Sequence, residues 1–315
     1  MPETVLIFGG SGFIGSHLAA RHLKTGDSVH VAVRPGWNGQ FASPVTGAIA
    51  HEVDLGASDQ IEDCFTAARP TLVYHLASRT GHGPNGHRDP FSQAWLDDAA
   101  NLIRLLDAAM RVRPALRSFV RIGSLAEYGE GPVPSREDQR EEPSSPYALA
   151  QATATRYIRL FHPGLPFPVL TARLGLTYGP GQSAAFLIPS LIRSCLDRQP
   201  YLVRDPFACR DLIHVDDVAT GLMRLALSSL PSGEIINICS GEALANRRAA
   251  EIVCDVTGAP PDLVTYGAAG APSALSSIMW GSAERARTLL HWSARLAFAD
   301  GIRRTIGTLT ARSYA

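Results

Sequence analysis

After its first three residues the chain runs Thr4-Val5-Leu6-Ile7-Phe8-Gly9-Gly10-Ser11-Gly12-Phe13-Ile14-Gly15. Residues 4–8 form a short apolar, partly β-branched run that ends in glycines, which is typical of a strand buried on both faces. The next residues carry apolar side chains at helical spacing, namely Phe13, Ile14, Leu18, Ala19 and Leu23. A buried strand, a glycine turn and a helix in this order predict the first unit of a parallel α/β sheet.

The glycines of this turn follow the spacing Gly-x-x-Gly-x-x-Gly, at Gly9, Gly12 and Gly15. In such a unit one glycine allows the tight turn, one lets backbone N–H groups approach a pyrophosphate, and one lets helix and strand pack closely. We therefore predict that the turn binds a dinucleotide cofactor. The predicted contact residues are Gly9, Ser11, Gly12, Phe13, Ile14 and Gly15.

Further strands are predicted at residues 29–33, 71–76 and 119–122, and a helix at residues 101–113 that ends before Pro114. Strands that alternate with helices predict an α/β fold with a doubly wound parallel sheet, a Rossmann domain, over residues 1–172. Beyond residue 172, strand-like pieces mix with turns rich in proline and glycine. We expect residues 173–315 to form mainly a smaller substrate-binding lobe, with some segments returning to the Rossmann domain.

The composition excludes several classes of function. The 315 residues carry a formal net charge of zero, so we expect no bulk attraction to nucleic acid or to an anionic membrane. The five cysteines form no Cys-x-x-Cys pair, which predicts free thiols in a reducing compartment and neither a metal site nor a disulfide framework. The first apolar run is broken by glycines and has no basic segment before it, so neither a signal peptide nor a membrane span is expected. These features predict a cytoplasmic protein.

The residue after the second strand bears on the choice of cofactor. Folds that bind NAD place an acidic residue there, on the adenosine ribose. This chain has Arg34 instead, and a guanidinium group matches a 2′-phosphate. We therefore predict NADP as the cofactor, with NAD as the alternative. Asp54 and Leu55 follow a His-Glu-Val segment and are predicted to lie near the adenine.

Six motifs carry a family resemblance. They are residues 74–78 (Tyr-His-Leu-Ala-Ser), 122–129 (Ile-Gly-Ser-Leu-Ala-Glu-Tyr-Gly), 145–147 (Ser-Pro-Tyr), 173–182 (Arg-Leu-Gly-Leu-Thr-Tyr-Gly-Pro-Gly-Gln), 210–218 (Arg-Asp-Leu-Ile-His-Val-Asp-Asp-Val) and 236–241 (Ile-Asn-Ile-Cys-Ser-Gly). Through these motifs the chain resembles, over essentially its full length, the extended short-chain dehydrogenase/reductase family. That family comprises NAD(P)-dependent nucleotide-sugar epimerases, dehydratases and 4-ketoreductases.

The resemblance assigns roles to individual residues. It implies catalytic roles for Ser124, Tyr147 and Gln151, the last standing where the family has its active-site lysine. It implies cofactor contacts from Leu76, Ala77, Ser78, Tyr147 and Gln151. The predicted substrate contacts, for a nucleotide-diphospho-sugar, are Arg79, Ser124, Tyr147, Tyr178, Arg210 and Arg285.

The resemblance also implies a homodimer, formed through two helices of each subunit. One of these is the helix that begins at Tyr147. Its residues Ala148, Leu149, Ala150, Ala152 and Ala154 are small or apolar, and we expect them to pack closely against a second copy.

Three departures from the family pattern narrow the chemistry. Leu125 and Ala126 stand where dehydratases carry Asp-Glu, which disfavours elimination of water. Leu176 replaces an asparagine of the Arg-x-x-Asn motif. Gln151 supplies no charge, whereas a tyrosine, with a pKa near ~10, needs a nearby cation to act as a base at neutral pH.

Reduction of a ketone requires a protonated tyrosine, so the loss of the lysine harms sugar oxidation more than carbonyl reduction. We therefore predict a reductase of a 4-keto nucleotide-diphospho-sugar. Two alternatives stay open: a nucleotide-sugar epimerase, and a cofactor-binding protein with weakened catalysis. Among possible replacement cations, Arg156 lies off the Tyr147 face of the helix, and His75 and His214 are expected in the sheet and in a turn. Arg79 and His82 stand in a glycine-rich loop that is expected to line the mouth of the cleft, so they stay open beside the alternative of a solvated loop.

Overall fold

The computed structural model of the protein describes residues 2–43, 45–78, 93–112, 115–267 and 278–313. Over these residues the strands are β1 (Thr4–Phe8), β2 (Ser28–Val33), β3 (Ile49–Glu52), β4 (Leu72–His75), β5 (Ser118–Ser124), β6 (Val169–Leu174), β7 (Leu176–Tyr178), β8 (Tyr201–Val203), β9 (Cys209–Arg210), β10 (Leu212–His214), β11 (Ile235–Ile238), β12 (Leu244–Ala245), β13 (Val264–Tyr266) and β14 (Ile278–Met279). The α-helices are α1 (Phe13–Lys24), α2 (Ser58–Ala68), α3 (Gln93–Val112), α4 (Pro146–Phe161), α5 (Leu187–Leu196), α6 (Val215–Ala226), α7 (Asn246–Thr257), α8 (Glu284–Leu290) and α9 (Phe298–Ser313).

Seven parallel strands form the main sheet, in the order β11-β6-β5-β4-β1-β2-β3. The order reverses between β1 and β4, so the carboxyl ends of these strands open a crevice where doubly wound folds bind their ligands. The predicted doubly wound parallel sheet is confirmed. Its last strand, β11, comes from the second half of the sequence.

Both faces of the sheet are buried, because the side chains of each strand alternate between two apolar layers. Val5 and Ile7 of β1 join the layer formed with α1, α6 and α8. Leu6 and Phe8 join the opposite layer, formed with α2, α3 and α4. The helices on the two faces thus account for the continuous apolar run at residues 4–8.

A separate apolar core lies in the second half of the chain. It is built on α5, α7 and α9 with short strands around them, and includes Leu191, Val203, Val253 and Ile302. This smaller lobe also contains the three-stranded sheet β12-β9-β14. All five cysteines are free thiols, and all but Cys209 are buried.

Candidate active site

The glycine turn after β1 leaves no room for side chains. Gly9 has a φ of +83°, and a Cβ there would stand 2.8 Å from the backbone nitrogen of Ala77. A Cβ on Gly15 would stand 2.2 Å from the carbonyl oxygen of Gly9. The turn therefore packs directly against the start of α1 and against the segment after β4.

The amino end of α1 is suited to an anion. Gly12 is the N-cap, no side chain caps the helix, and its first turn contains no acidic residue. The backbone N–H groups at the start of the helix are therefore left for a ligand, at the positive end of the helix dipole. The predicted contact residues Ser11, Gly12, Phe13 and Ile14 lie at this point, so the turn fits the pyrophosphate of a dinucleotide.

Positively and negatively charged residues lie where the adenosine of a dinucleotide is expected. Arg34 follows β2 directly and is exposed. Glu52, the last residue of β3, accepts a hydrogen bond from the backbone N–H of Gly36 at 3.0 Å, so a carboxylate that no sequence motif indicated stands beside the Arg34 loop. Asp54 is exposed and accepts a bond from the N–H of Gly56 at 2.8 Å, while Leu55 packs against the apolar layer under α2.

The segment after β4 lies beside the glycine turn and connects it to α4. The N–H of Leu76 donates to the carbonyl of Phe8 at 2.9 Å, and Ala77 contacts Gly9 as described above. The Ser78 hydroxyl donates to Asp98 Oδ2 at 2.6 Å. Arg79, a predicted substrate residue, lies outside the described residues.

Ser124 and Tyr147 are brought together from different elements. Ser124 ends β5 and caps the short 3₁₀ turn at residues 125–128, where its Oγ accepts from the N–H of Ala126 at 3.1 Å. Tyr147 lies in the first turn of α4, which Ser145 caps by accepting from the N–H of Ala148 at 3.1 Å. A hydrogen bond joins the side chains of Ser124 and Tyr147.

Tyr147 is protonated at neutral pH in this setting. Burial of the hydroxyl raises the pKa of Tyr147 to about 12, although the residue as a whole keeps partial exposure. The Ser124 hydrogen bond and the charge of Arg121 lower this pKa, and the carboxylates of Glu127 and Asp98 raise it. The phenol is therefore placed to give a proton rather than to take one.

Gln151 follows Tyr147 by one helical turn and is buried. Its Nε2 donates to Ser78 Oγ at 2.9 Å, and its Oε1 accepts a hydrogen bond from the Arg121 guanidinium. The same guanidinium donates to the carbonyl of Gln151 at 2.9 Å and to Thr155 Oγ1 at 2.6 Å. Arg121 was missed in the sequence, where its one signal is an arginine inside an otherwise apolar strand.

A buried carboxylate holds the floor of the site. Glu127 is fully buried and accepts from the backbone N–H of Ser124 at 3.0 Å, from Thr155 at 2.7 Å and from Arg173 Nε at 2.9 Å. Arg121 Nη1 lies 3.5 Å from its other oxygen. Glu127 therefore fixes the catalytic loop at Ser124, a role that was not predicted from the sequence.

Three of the candidate replacement cations, His75, His214 and Arg156, carry no charge at Tyr147, while Arg79 and His82 lie outside the described residues. Burial and the nearby Arg121 charge lower the pKa of His75 to about 3. Burial lowers the pKa of His214 to about 4. Arg156 is exposed and pairs with Glu141 at 3.3 Å.

Arg210 lies where it can meet a substrate at the entrance to the site. It is buried and lines a cavity together with Leu125, Ala126, Gly129, Ser144, Ser145, Ala148 and Met279. The three acids that follow it in the motif are engaged elsewhere: Asp211 accepts from Ser240 and Gly241, Asp216 pairs with Arg304 at 3.1 Å, and Asp217 accepts from the backbone N–H groups of residues 295 and 296. The structure thus brings Arg210 next to the first turn of α4.

The remaining predicted substrate residues, Tyr178 and Arg285, are not brought to Tyr147. Tyr178 is buried in the core of the smaller lobe, and its hydroxyl donates to the carbonyl of Phe298 at 3.2 Å. Packing in this core explains the position of Tyr178 without a substrate contact. Arg285 forms an ion pair with Glu234. Glu234 directly precedes β11, at the edge of the sheet opposite to the carboxyl ends of the strands. The described geometry therefore provides neither contact.

Two further classes of site find no support within the described ranges. No cluster of three or more His, Cys, Asp or Glu side chains is placed there to hold a metal ion. Among the described helices, none combines the length and apolar character needed to cross a membrane.

Comparisons with known proteins agree with this geometry. The GDP-6-deoxy-D-mannose reductase of Pseudomonas aeruginosa is 28% identical over 275 residues, which cover 84% of this chain and 83% of that protein. The dTDP-L-rhamnose 4-epimerase of Burkholderia thailandensis is 27% identical over 306 residues, covering 82% of each chain. The solved UDP-glucose 4-epimerase of Thermus thermophilus, a complex with NAD, superposes with a TM-score of 0.81 at 27% identity and covers 97% of this chain and 98% of that one.

A family model extends across most of the chain. Residues 5–239 match the model of the NAD dependent epimerase/dehydratase family. These residues contain the glycine turn, Ser124, Tyr147, Gln151 and Arg210, so the match includes the turn predicted to bind the cofactor and the two residues predicted to be catalytic, Ser124 and Tyr147. The chain therefore belongs to the NAD dependent epimerase/dehydratase family, as its sequence motifs predicted.

Proposed function

We propose that the protein reduces a keto nucleotide-diphospho-sugar, at the sugar carbon C4, with a reduced nicotinamide cofactor. The observation that carries this proposal is the protonated Tyr147 phenol, hydrogen-bonded to Ser124 and with no lysine one turn later. Burial raises the pKa of this phenol to about 12, which suits proton donation to a carbonyl better than abstraction of a proton from an alcohol.

The residues of the site divide the work of the reduction. Tyr147 gives its hydroxyl proton to the carbonyl oxygen, and Ser124 supplies a second hydrogen bond to that oxygen. When bound, the reduced cofactor supplies the hydride that the carbonyl carbon gains. Gln151 and Ser78 present polar groups to the ribose next to the nicotinamide. Leu125 and Ala126 offer no acid or base for elimination of water.

The choice of a nucleotide-diphospho-sugar rests on Arg210 and on the relatives. The buried Arg210 lines a cavity that begins at the first turn of α4, and a guanidinium suits a diphosphate. The names of the relatives include a reductase and an epimerase of nucleotide sugars. We also infer that NADP is preferred over NAD, because Arg34 follows β2, and that the protein forms a homodimer; its cytoplasmic location stays a prediction.

An epimerase is the second candidate, and one observation favours it. Arg121 places a buried cation against Gln151, and a cation near Tyr147 assists oxidation of an alcohol. An epimerase must oxidise its substrate before reducing it. The third alternative, a binding protein with weakened catalysis, has less support because the Ser124–Tyr147 hydrogen bond is intact.

The test supplies the protein with NADPH and a nucleotide-diphospho-4-keto-6-deoxysugar and follows NADPH consumption and sugar product together. We expect stoichiometric reduction that falls by about a hundredfold or more in Tyr147→Phe, in keeping with the usual contribution of a general acid. Tyr157→Phe, which removes a phenol hydroxyl from the same helix, is the matched control and should retain full activity.

Other outcomes would point to the alternatives. Interconversion of UDP-hexoses without net consumption of cofactor would replace the reductase proposal with an epimerase. Tight cofactor binding with neither reaction, on any nucleotide sugar, would favour the binding protein.

A further inference from the structure

Arg121 is a buried cation beneath the catalytic helix. It lies on β5, two residues after Phe119, so its side chain projects from the same face of the sheet, which is the face that packs against α3 and α4. The residue is 2% exposed. A buried guanidinium is costly unless its donors are used and its charge has a purpose or a partner.

The contacts of Arg121 lie on the two turns of α4 that follow Tyr147. One terminal nitrogen donates to the Gln151 carbonyl at 2.9 Å and to the Gln151 side chain. The other donates to Thr155 Oγ1 at 2.6 Å. Tyr147, Gln151 and Thr155 are spaced by four residues on one helix face, and the charge of Arg121 lowers the pKa of the Tyr147 phenol.

No carboxylate of the described residues is hydrogen-bonded to Arg121. Glu127 is the nearest carboxylate, at 3.5 Å, and its closer contact is with Arg173 at 2.9 Å. Arg173 has a second carboxylate partner, Glu141, at 2.6 Å, so Glu127 lies between the two guanidinium groups. On the other strands and helices packed around the phenol, His75 of β4 is neutral because burial lowers its pKa to about 3, and Asp98 of α3 reaches Gln151 through Ser78.

We propose that Arg121 stabilises the negative charge left on the Tyr147 oxygen when that hydroxyl gives up its proton, and that Gln151 positions the Arg121 guanidinium for this role. The reduction leaves a phenolate in a buried place, where an opposite charge nearby has a large effect. Arg121 thus acts on the Tyr147 oxygen through its charge, from its position on β5. The inference requires that Tyr147 exchange a proton with the substrate, which the reductase and the epimerase share.

The arrangement also gives a reason for the glutamine. An amide accepts a hydrogen bond from Arg121 through its oxygen and donates one to Ser78 through its nitrogen. A lysine at position 151 has no acceptor and would place a second buried cation against the guanidinium. Arg121 and Gln151 therefore act as a pair. The positive charge that the family's lysine would carry on α4 is carried here by Arg121 on β5.

The experiment measures the ionisation of Tyr147 in two ways on the complex with the oxidised cofactor. One is the pH dependence of the alcohol oxidation rate under conditions where chemistry limits. The other is the near-ultraviolet absorbance of tyrosinate, with the Tyr147→Phe titration subtracted, which requires no turnover. Because a nearby opposite charge lowers a pKa by about one unit or more, we expect Arg121→Gln to move both titrations upward by about one pH unit, and Arg121→Lys to move them less.

Two variants separate charge from structure. Arg156→Gln removes an exposed positive charge from α4, the helix that carries Tyr147, and should leave both titrations unchanged. The double variant Arg121→Gln/Gln151→Lys returns one cation to the site and should restore the wild-type titration.

Equal titrations in Arg121→Gln and Arg156→Gln would overturn the proposal. So would a folded double variant that titrates like Arg121→Gln, or a double variant that does not fold, since Arg121 would then be purely structural. The wild-type protein could turn over no substrate while Arg121→Gln still shifts the tyrosinate absorbance titration as expected. That result would contradict the proposed function and leave the role of Arg121 intact.

Discussion

Two residues of opposite charge bear on the selection of the cofactor. Arg34 favours a 2′-phosphate, and Glu52, held by the backbone of Gly36 at 3.0 Å, opposes it. We expect Arg34→Asp to weaken NADPH binding by about tenfold or more, since a charge-assisted hydrogen bond is worth roughly 1.5–3 kcal/mol, and to leave NADH binding nearly unchanged. Dissociation constants from cofactor fluorescence titrations check this.

Glu52→Gln is the matched control, because it removes the negative charge that lies beside the loop carrying Arg34. It should tighten NADPH binding. Tighter binding of NADH than of NADPH by the wild type would contradict the preference for NADP, and an unchanged preference in Arg34→Asp would show that Arg34 does not determine it.

At single positions the structure brings together the predicted residues Ser124, Tyr147 and Gln151 but not Tyr178 or Arg285, and the contacts that the sequence did not indicate share a physical cause. Ser124, Tyr147 and Gln151 stand in motifs, so each was found from its neighbours along the chain. Arg121 and Glu127 act through contacts 30 and 46 residues away, with Gln151 and Arg173. Such contacts exist only after β5, β6 and α4 have packed, and no local pattern indicates them.

Among the elements, α4 packs differently from what its sequence predicts. Ala148, Ala150, Ala152 and Ala154, which were expected from the sequence at a subunit interface, are all buried within the chain itself. They allow α4 to pack closely on the sheet and on α3. That expectation is therefore corrected: the small-residue face packs internally, and the exposed face is a different one.

The exposed surfaces of α4 and α3 each include large apolar side chains among charged and polar ones. Leu149 is 57% exposed and Leu160 is 70% exposed, and their separation of eleven positions places them on the same side of the helix. On α3, Ile103 and Met110 are exposed as well. Two neighbouring helices with exposed apolar side chains fit the proposed homodimer through paired helices.

We expect Leu149→Glu/Leu160→Glu to convert the dimer into a monomer, because four buried carboxylates would face one another in the assembled interface. Sedimentation velocity gives the mass directly. Leu202→Glu, at an exposed leucine of the smaller lobe, is the control and should stay dimeric. A wild-type monomer, or a dimer that survives the double substitution, would refute this interface.

The helix and strand limits were predicted in part. The limits of β1 are those expected, but β5 extends beyond the predicted residues 119–122 at both ends, to Ser118 and Ser124. Its added residues, Ser118, Gly123 and Ser124, are polar or small, and they form strand because β4 and β6 pair with them. Neighbouring strands, not propensity, set these limits.

In the whole molecule the two halves of the sequence are interleaved. β11 completes the main sheet beside β6, while β9 of the smaller lobe carries Arg210 to the first turn of α4. The doubly wound sheet was predictable from the alternation of strands and helices. Which later segments return to it was not, because β11 has the same apolar character as a strand of the smaller lobe.

Arg210 is therefore the predicted substrate contact that the smaller lobe brings beside α4. We expect Arg210→Ala to weaken nucleotide-sugar binding by about one to two decades, the effect of losing a charge-assisted hydrogen bond, and to leave cofactor binding unchanged. Isothermal titration with each ligand measures both. Arg204→Ala, at an exposed arginine of the same lobe, should change neither, and an equal loss of cofactor affinity in Arg210→Ala would assign Arg210 a structural role.

Gly123 limits the routes by which this site can change. A Cβ there would stand 2.1 Å from Glu127 Oε1 and 3.1 Å from Arg121 Nη1, so the glycine, the glutamate and the arginine tolerate one another only as a set. Their substitutions are epistatic: an alanine at 123 is harmful while Glu127 is present and acceptable once a shorter side chain replaces it.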